Sequence, residues 1–594
     1  MREALESPRS KVTLASLAYS ANMGPGTGFR LANDDLFRSA KGVSRRRLVE
    51  TYGDLEVVGA TAAAETDLSG QLTGNVYGRV ALGLEEDIPD PDACQTPISE
   101  MLEIAIRAEN YDVSDERIEN KDGRRLVYID PDTHLASLAY RVEFFYAGQR
   151  VVSRPAYFID ACNRSVLLHF DQIQNVSVAR DSMGAQACAC NPSAAGIGGN
   201  PKTGRIEYNK DGRCLAVQVS GTTCTMSNTY GYVVDNQQTR DRFRTRPVRF
   251  TCRNGYSDPV NGAFGVASDA FYFGTITGRL YVEKYGIRAL PYPPRIVIHY
   301  GSCYQNAFWD GTDMYFGDGC STLYPLVSQD IVAHELAHGI TSRNSRLFYS
   351  LQSGGINEAF SDISGEIADK FGHGSNDWMV GYELYKRDRP LRYFINPPDD
   401  GRSISHVRDY SSSLGVHSTS GIYNHAFYQM VAIEGLPIYH AYKCFLDSNL
   451  QCWQSLTQFW EGACCVMQMC YDNGYDVIKV RSAFSRVGIY LFRCDFDGFS
   501  SIVKSGETRR EILVSATRNP ILAVENAGDG RVSVTAEAQD LFSTVDIEVV
   551  EDAGGEVVLV SGSGSVDVES ELDTVYVRLS SPKADDVKVD MKVA

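Results

Sequence analysis

A chain of 594 residues is too long for one hydrophobic core, and its length sets an expectation of three or four domains. A formal charge of −18 argues against nucleic acid or an anionic membrane surface as partner and fits a soluble extracellular protein. Fifteen cysteines, with no two CxxC pairs at zinc-finger spacing, point to disulfides made in an oxidising compartment, and the odd count leaves at least one thiol over.

No stretch of about 18 apolar residues offers a membrane span, and residues 1–25 hold no apolar run of signal-peptide length. Secretion is therefore expected from the cysteines, with no leader visible. Residues 1–45 are polar, contain Gly and Ser, and are expected to be partly disordered. From 46 to 175 the pattern is α+β. RRLVETYGDLEVVGATAAAETDLSG alternates like strands broken by glycine turns, ISEMLEIAIRAENY (98–111) has helical period, and LASLAYRVEFFY and RPAYFIDACNRSVLLHF are strand-like. Asn163 and Asn175 each open an N-x-S sequon.

Residues 176–195 are Gly, Ala, Ser and Pro with little periodicity, which predicts a linker and a place for cleavage. Cys188 and Cys190 fall in it, open to a disulfide, an idle thiol or a thiolate that silences a metal. Residues 196–340 are strand-rich with one helix at 269–286, and RIVIHYGS and MYFGDG are predicted strands. Residues 341–495 turn helical, with predicted helices at 419–432, 452–472 and 476–488. From 500 to 594 period-two segments separated by Gly, Ser and Asp, without cysteine, predict a small β-sandwich.

The chemistry concentrates between Asp330 and Asp362, DIVAHELAHGITSRNSRLFYSLQSGGINEAFSD. His334 and His338 lie four apart and project from one helical face, with Glu335 about 100° round. Glu358 follows near the start of a second helix whose buried side is marked by Ile356, Phe360, Ile363, Ile367 and Phe371. Two imidazoles and a carboxylate leave a zinc ion's fourth position for water, as hydrolysis requires and a structural site lacks. Asp362, one turn beyond Glu358, suits the role of orienting a ligating histidine. HExxH alone is a weak signal; the third carboxylate on a second amphipathic helix strengthens it.

With HELAHG, SGGINEAFSD, QNAFWDGTDMYFGDG and GVHSTSGIYNHAFY, residues 196–495 resemble the thermolysin family of secreted zinc metalloendopeptidases, on its pseudolysin/vibriolysin branch. The resemblance implies a two-lobed α+β neutral protease: a β-rich lobe (196–340) and a helical lobe (341–495), preceded by an α+β propeptide (46–175) that chaperones and inhibits. Glu335 is implied as the base, taking a proton from water and passing it to the leaving amine. Tyr349 and His417 are implied as oxyanion donors, although either alone would more often be a packed aromatic or a surface imidazole. Asn306 and Ala307 are implied to hold an extended substrate along an edge strand, Arg392 to bind the substrate carbonyl after the scissile bond, and Leu323, Leu326, Ile331, Val380 and Leu391 to line the pocket for the residue that follows that bond. The pocket would favour bulky hydrophobic residues.

Asp330, Glu366, Asp369 and Asp377, with the Met379 carbonyl, match a calcium site of the same branch, and hard oxygen ligands suit calcium. Cys224–Cys252 and Cys464–Cys494 match disulfides of the branch. The implied partners are peptide or protein substrates and the chain's own propeptide, acting on a monomer. The alternatives are an idle relative that has lost a ligand or base, and an exopeptidase; all of His334, Glu335, His338 and Glu358 are present, and no motif for gripping a free terminus is seen. One departure stands out: 412–416 read Ser-Ser-Leu-Gly-Val where relatives carry an aspartate, leaving Asp409 as the nearest upstream carboxylate.

Overall fold

The computed structural model describes residues 25–175 and 195–491 apart from short stretches, and beyond them Cys494 and the backbone of strands between residues 502 and 593. The predicted linker, with Cys188 and Cys190, lies outside the described residues apart from Ala195.

The N-terminal sheet begins earlier than residue 46. Strand β1 (Thr27–Leu31) pairs antiparallel with β2 (Ser44–Tyr52), Thr27 opposite Tyr52, so part of the segment expected to be disordered is a strand. In β2, Leu48, Glu50 and Tyr52 alternate into the core while Arg47 points to the other face. Eleven strands among the described residues form this sheet. Its two antiparallel halves join where Leu55–Val58 runs parallel to Ile118–Ile129. Helix α1 (Ile98–Ala108) covers one face with Met101, Ala105 and Ile106, and Cys94–Cys162 ties the loop before it to the sheet.

A second, six-stranded sheet runs in the order β3 (Gln174–Asn175), β6 (Ala307–Trp309), β7 (Met314–Phe316), β5 (Arg295–Ile298), β4 (Gly231–Asp235), Ser227–Asn228. Helix α2 (Val266–Tyr285), three residues longer at its start than predicted, is buried on nearly every side and packs against this sheet. Helices α3 (Gln329–Arg343) and α4 (Leu351–His373) pack tightly together beside it.

The helical lobe continues with α5 (Gly421–Tyr428), α6 (Ile438–Gln451), α7 (Phe459–Asp472) and α8 (Val477–Ser485). Residues 452–458, predicted helical, stay outside α7, which starts at a Gln458/Glu461 capping box. Helix α6 was not anticipated from the sequence. Cys224–Cys252 and Cys464–Cys494 are present as the resemblance implied, joined by Cys303–Cys320, Cys444–Cys470 and Cys452–Cys465. Cys214 is also disulfide-bonded. Beyond residue 500, the described strands pair into a five-stranded and a four-stranded sheet, antiparallel except for Ile502–Lys504 beside Ile521–Glu525.

Glu50 is fully buried in the N-terminal core; one oxygen accepts a hydrogen bond from the Ala81 amide at 3.0 Å and the other has no partner. Burial pushes its carboxyl from 4.5 up to about 8. The folded domain therefore holds a proton that the unfolded chain releases above about pH 4.5, so stability falls as pH rises from there to about 8 and is level beyond. Glu50→Gln is expected to flatten that fall and to raise the melting temperature of this domain at pH 8 relative to the parent, measured by thermal denaturation at pH 5 and pH 8. Parallel slopes for the two proteins would reject the assignment.

Candidate active site

Helix α3 starts from an extended Ser328, and Asp330 in its first turn accepts from the Ile331 amide at 2.8 Å. His334, Glu335 and His338 follow within two turns, all at most 1% exposed because α4 lies directly over them. Two glycines open α4. A Cβ on Gly354 would stand 2.3 Å from a Val416 methyl, and one on Gly355 2.5 Å from the Thr419 hydroxyl. Their bareness lets the short helical turn Val416–Thr419 close in on α4, and this brings His417 to the site.

The ring Nε2 atoms of His334 and His338 face each other at 2.9 Å, and the Glu358 carboxylate lies 3.6 and 3.5 Å from them. His334 Nδ1 is 2.9 Å from Asp362 Oδ1, and His338 Nδ1 is 2.9 Å from Asn357 Oδ1. The Asn357 amide is itself oriented by donating to the Leu347 carbonyl at 3.2 Å. Both Nδ1 atoms therefore donate, and each Nε2 turns a bare lone pair inward. Two such lone pairs and a carboxylate, buried within 4.8 Å of one another, form a donor set that only a cation reconciles, and their N, N, O chemistry and count suit zinc. Burial, reinforced by His334, depresses His338 well below the ordinary imidazole range, so it is held neutral as a ligand must be.

Around this set the implied residues converge. Tyr349 donates to Glu358 Oε1 and lies 3.3 Å from His417 Nε2, which is 3.4 Å from Glu358 Oε2. Arg392, 1% exposed, grips Asp362 with two hydrogen bonds of 2.8 and 2.6 Å and leaves Nη1 without a protein partner. Burial opposes the Asp362 charge, but Arg392 and His334 outweigh it and keep the carboxyl below its ordinary range. Asn424 adds a third donor to Asp362 at 2.8 Å. Both Glu335 oxygens are buried with no protein hydrogen bond of good geometry, and burial with the nearby Glu358 raises this carboxyl well above its usual value, only partly opposed by the Trp309 backbone amide. Asp409 is half-exposed and faces Arg408 at 4.0 Å.

Next to Asn306 and Ala307, the outer side of β6 is paired by β3, Gln174 opposite Trp309 and Asn175 opposite Phe308. The chain's own residues 174–175 thus lie along the Phe308–Trp309 part of that edge. The five pocket aliphatics, Leu323, Leu326, Ile331, Val380 and Leu391, are at most 7% exposed within the main core. The acidic residues also gather. Asp330 Oδ2 accepts from the Gly381 amide at 2.7 Å, Glu366 Oε2 from Asn376 and the Trp378 amide at 3.1 and 3.0 Å, and Asp377 Oδ1 from the Met379 amide at 3.0 Å. Burial and then Asp377 push Glu366 well above the carboxylate range, and burial and then Asp330 do the same to Asp369.

Residues 201–342 match the family described as thermolysin metallopeptidase, catalytic domain, and residues 345–489 its alpha-helical domain. Across 491 residues the chain is 36% identical to the neutral protease of Vibrio proteolyticus, covering 81% of this chain and 76% of that one. The chain belongs to the thermolysin family of metallopeptidases. It is also 36% identical to the hemagglutinin/proteinase of Vibrio cholerae over 80% of this chain and 75% of that one, and 31% identical to a zinc metalloproteinase of Legionella pneumophila over 75% and 84%. Membership makes it a zinc metalloendopeptidase. Asn357, Asn424 and Ser361, whose hydroxyl lies 3.1 Å from His338 Nδ1, escaped the sequence reading because polar residues on a helix carry no spacing signal of their own.

Asn357→Leu removes the acceptor that fixes His338 and is expected to weaken zinc binding by roughly 10- to 100-fold. Competition with a chromogenic chelator measures it, and unchanged affinity would show that Ser361 alone orients the ring.

Proposed function

We propose that the chain is the self-processing precursor of a secreted neutral endopeptidase that cuts on the N-terminal side of bulky hydrophobic residues, with residues 46–175 as its chaperone and inhibitor. The observation that carries this reading is the inward-facing His334, His338 and Glu358 with the unpartnered Glu335 carboxylate beside them. Zinc bound there supplies a water of lowered pKa and polarises the substrate carbonyl. Glu335 accepts the proton of that water and delivers it to the leaving amine. The Tyr349 hydroxyl and His417 Nε2 are donors for the oxyanion that develops on the carbonyl oxygen. Arg392, fixed by Asp362, offers its remaining Nη1 to the carbonyl after the scissile bond, while Asn306 and Ala307 receive the extended backbone. The buried aliphatic set favours Leu or Phe, each methylene contributing about 1 to 3 kcal/mol of discrimination.

The zymogen reading draws support from β3 on β6, since an extended segment from residues 174–175 lies where substrate backbone would add, a few residues before the linker. Glu335→Gln keeps every ligand and is expected to retain zinc while losing casein hydrolysis by at least a thousandfold. If its cleavage is autocatalytic, the same variant accumulates as full-length chain on a denaturing gel. Parent-like hydrolysis by the variant would sink the assignment of the base.

Asp330, Glu366, Asp369 and Asp377, with the Met379 carbonyl, are proposed to bind calcium. Crowded buried carboxylates disfavour one another's charge, and a divalent cation that binds only the folded state reverses this penalty. The melting temperature is expected to rise by several degrees with millimolar calcium relative to a calcium-selective chelator; equal values would reject the site.

A further inference from the structure

Arg47 leaves the N-terminal sheet and is buried in the catalytic half, at 5% exposure. Its Nη1 donates to the Trp453 carbonyl and, at 2.9 Å, to Gln454 Oε1; its Nη2 donates to the Asn449 carbonyl at 2.9 Å. No carboxylate hydrogen-bonds it among the described residues. What it meets is the C-terminus of α6. There the Trp453 amide, which would satisfy the Asn449 carbonyl in a continued helix, turns back instead to Ser448 at 2.7 Å. The Asn449 carbonyl is thus left over at the negative end of the helix dipole, where a cation is stabilised.

The cradle is built wholly by the catalytic half and is held rigid without Arg47. The Asn449 side chain bonds Thr341 of α3 and Ser345 at 2.8 and 2.9 Å. The Trp453 indole donates to the Gly462 carbonyl at 2.9 Å and stands edge-on to Phe360 of α4. Three acceptors meet the two terminal nitrogens of the planar fork, leaving Nε buried without a partner, and their splay suits a guanidinium better than an ammonium.

We infer that the catalytic domain carries a guanidinium-binding site at the C-terminus of α6, made by the Asn449 and Trp453 carbonyls and the Gln454 amide, and that Arg47 occupies it as the latch retaining the N-terminal domain after the linker is cut. The inference rests on the propeptide reading above only in taking the two halves to separate eventually. Losing the guanidinium strands two buried carbonyls and weakens retention, whereas a lysine reaches only part of the cradle.

The test uses the full chain in a Glu335→Gln background, nicked in the linker with a trace of added endoprotease, and follows release of the N-terminal fragment on dilution by size exclusion. With Arg47 the fragments are expected to stay together. Arg47→Ala is expected to release at least tenfold faster, with Arg47→Lys between the two, and ethylguanidinium at tens of millimolar, which competes with Arg47 for the cradle, is expected to speed release from the parent while leaving Arg47→Ala unchanged. Gln454→Ala, on the catalytic side, is expected to give a smaller acceleration and keeps the test open should Arg47→Ala fail to fold. Unchanged release in Gln454→Ala together with unchanged release in Arg47→Ala overturns the latch. So does release from the parent that ethylguanidinium leaves unchanged. Hydrolytic activity of nicked, still associated chain with Glu335 intact separates the readings: full activity there removes the inhibitor role and leaves the latch standing.

Discussion

Four carboxylates fall on one buried side of α4 at intervals of a turn, Glu358, Asp362, Glu366 and Asp369, and the rest of the catalytic half is arranged to neutralise them. Three of the four are at most 1% exposed, and so much unpaired negative charge in an apolar interior would unfold the lobe. Each therefore has a positive partner or a place for one. Glu358 joins the two histidines, Asp362 takes the Arg392 fork and His334, and Glu366 and Asp369 turn to the cluster with Asp330 and Asp377. Because α3 supplies both Asp330 and His334, one turn apart, zinc at the histidines and the calcium proposed at Asp330 would hold the same pair of helices. Charge compensation thus ties the metal chemistry to the packing of the lobe.

Much of this was legible in the chain because it is written as local spacing. The i, i+4 histidines, the i, i+4 carboxylates and the amphipathic side of α4 need no long-range knowledge. What escaped was decided by tertiary contact. Helix α6 was missed because its second half, Asp447, Ser448, Asn449 and Gln451, is polar in sequence; those side chains are buried, and those of Asp447, Ser448 and Asn449 are satisfied by hydrogen bonds that periodicity cannot show. The opposite error occurred at 452–458, where apolar spacing continued through residues that the Cys452–Cys465 bond and the Trp453 turn hold out of the helix. Strand β1 was hidden because its apolar stripe is only two residues long, Phe29 and Leu31, set among glycine and polar residues.

Tyr349 and His417 stood out only through the words around them, since single polar aromatics carry no pattern. The structure supplies the missing physics, because Gly354 and Gly355 bring the His417 turn against α4. The capped β6 edge belongs to a different class of miss. Strand order within the catalytic half left that edge open, and its partner lies more than a hundred residues upstream, in a segment too short to register as a strand.

The same N-terminal half reaches the site by a second route. Phe348, the residue before Tyr349, packs with Phe158 and Phe170 of the N-terminal sheet, at 5.0 and 5.3 Å between ring centroids, and the Arg141 guanidinium lies over its ring. Tyr349 is buried in that same cluster, which also holds Val58 and Leu126 of the N-terminal half. Arg242 of the catalytic half in turn lies 3.6 Å from the Phe145 ring centroid while binding Asp310. Each of these contacts covers apolar or cationic surface that water would otherwise reach, so departure of the N-terminal half would expose both the β6 edge and the wall beside Tyr349. On the proposed reading, opening the cleft and loosening the surroundings of Tyr349 would be one event, because a single domain covers both surfaces.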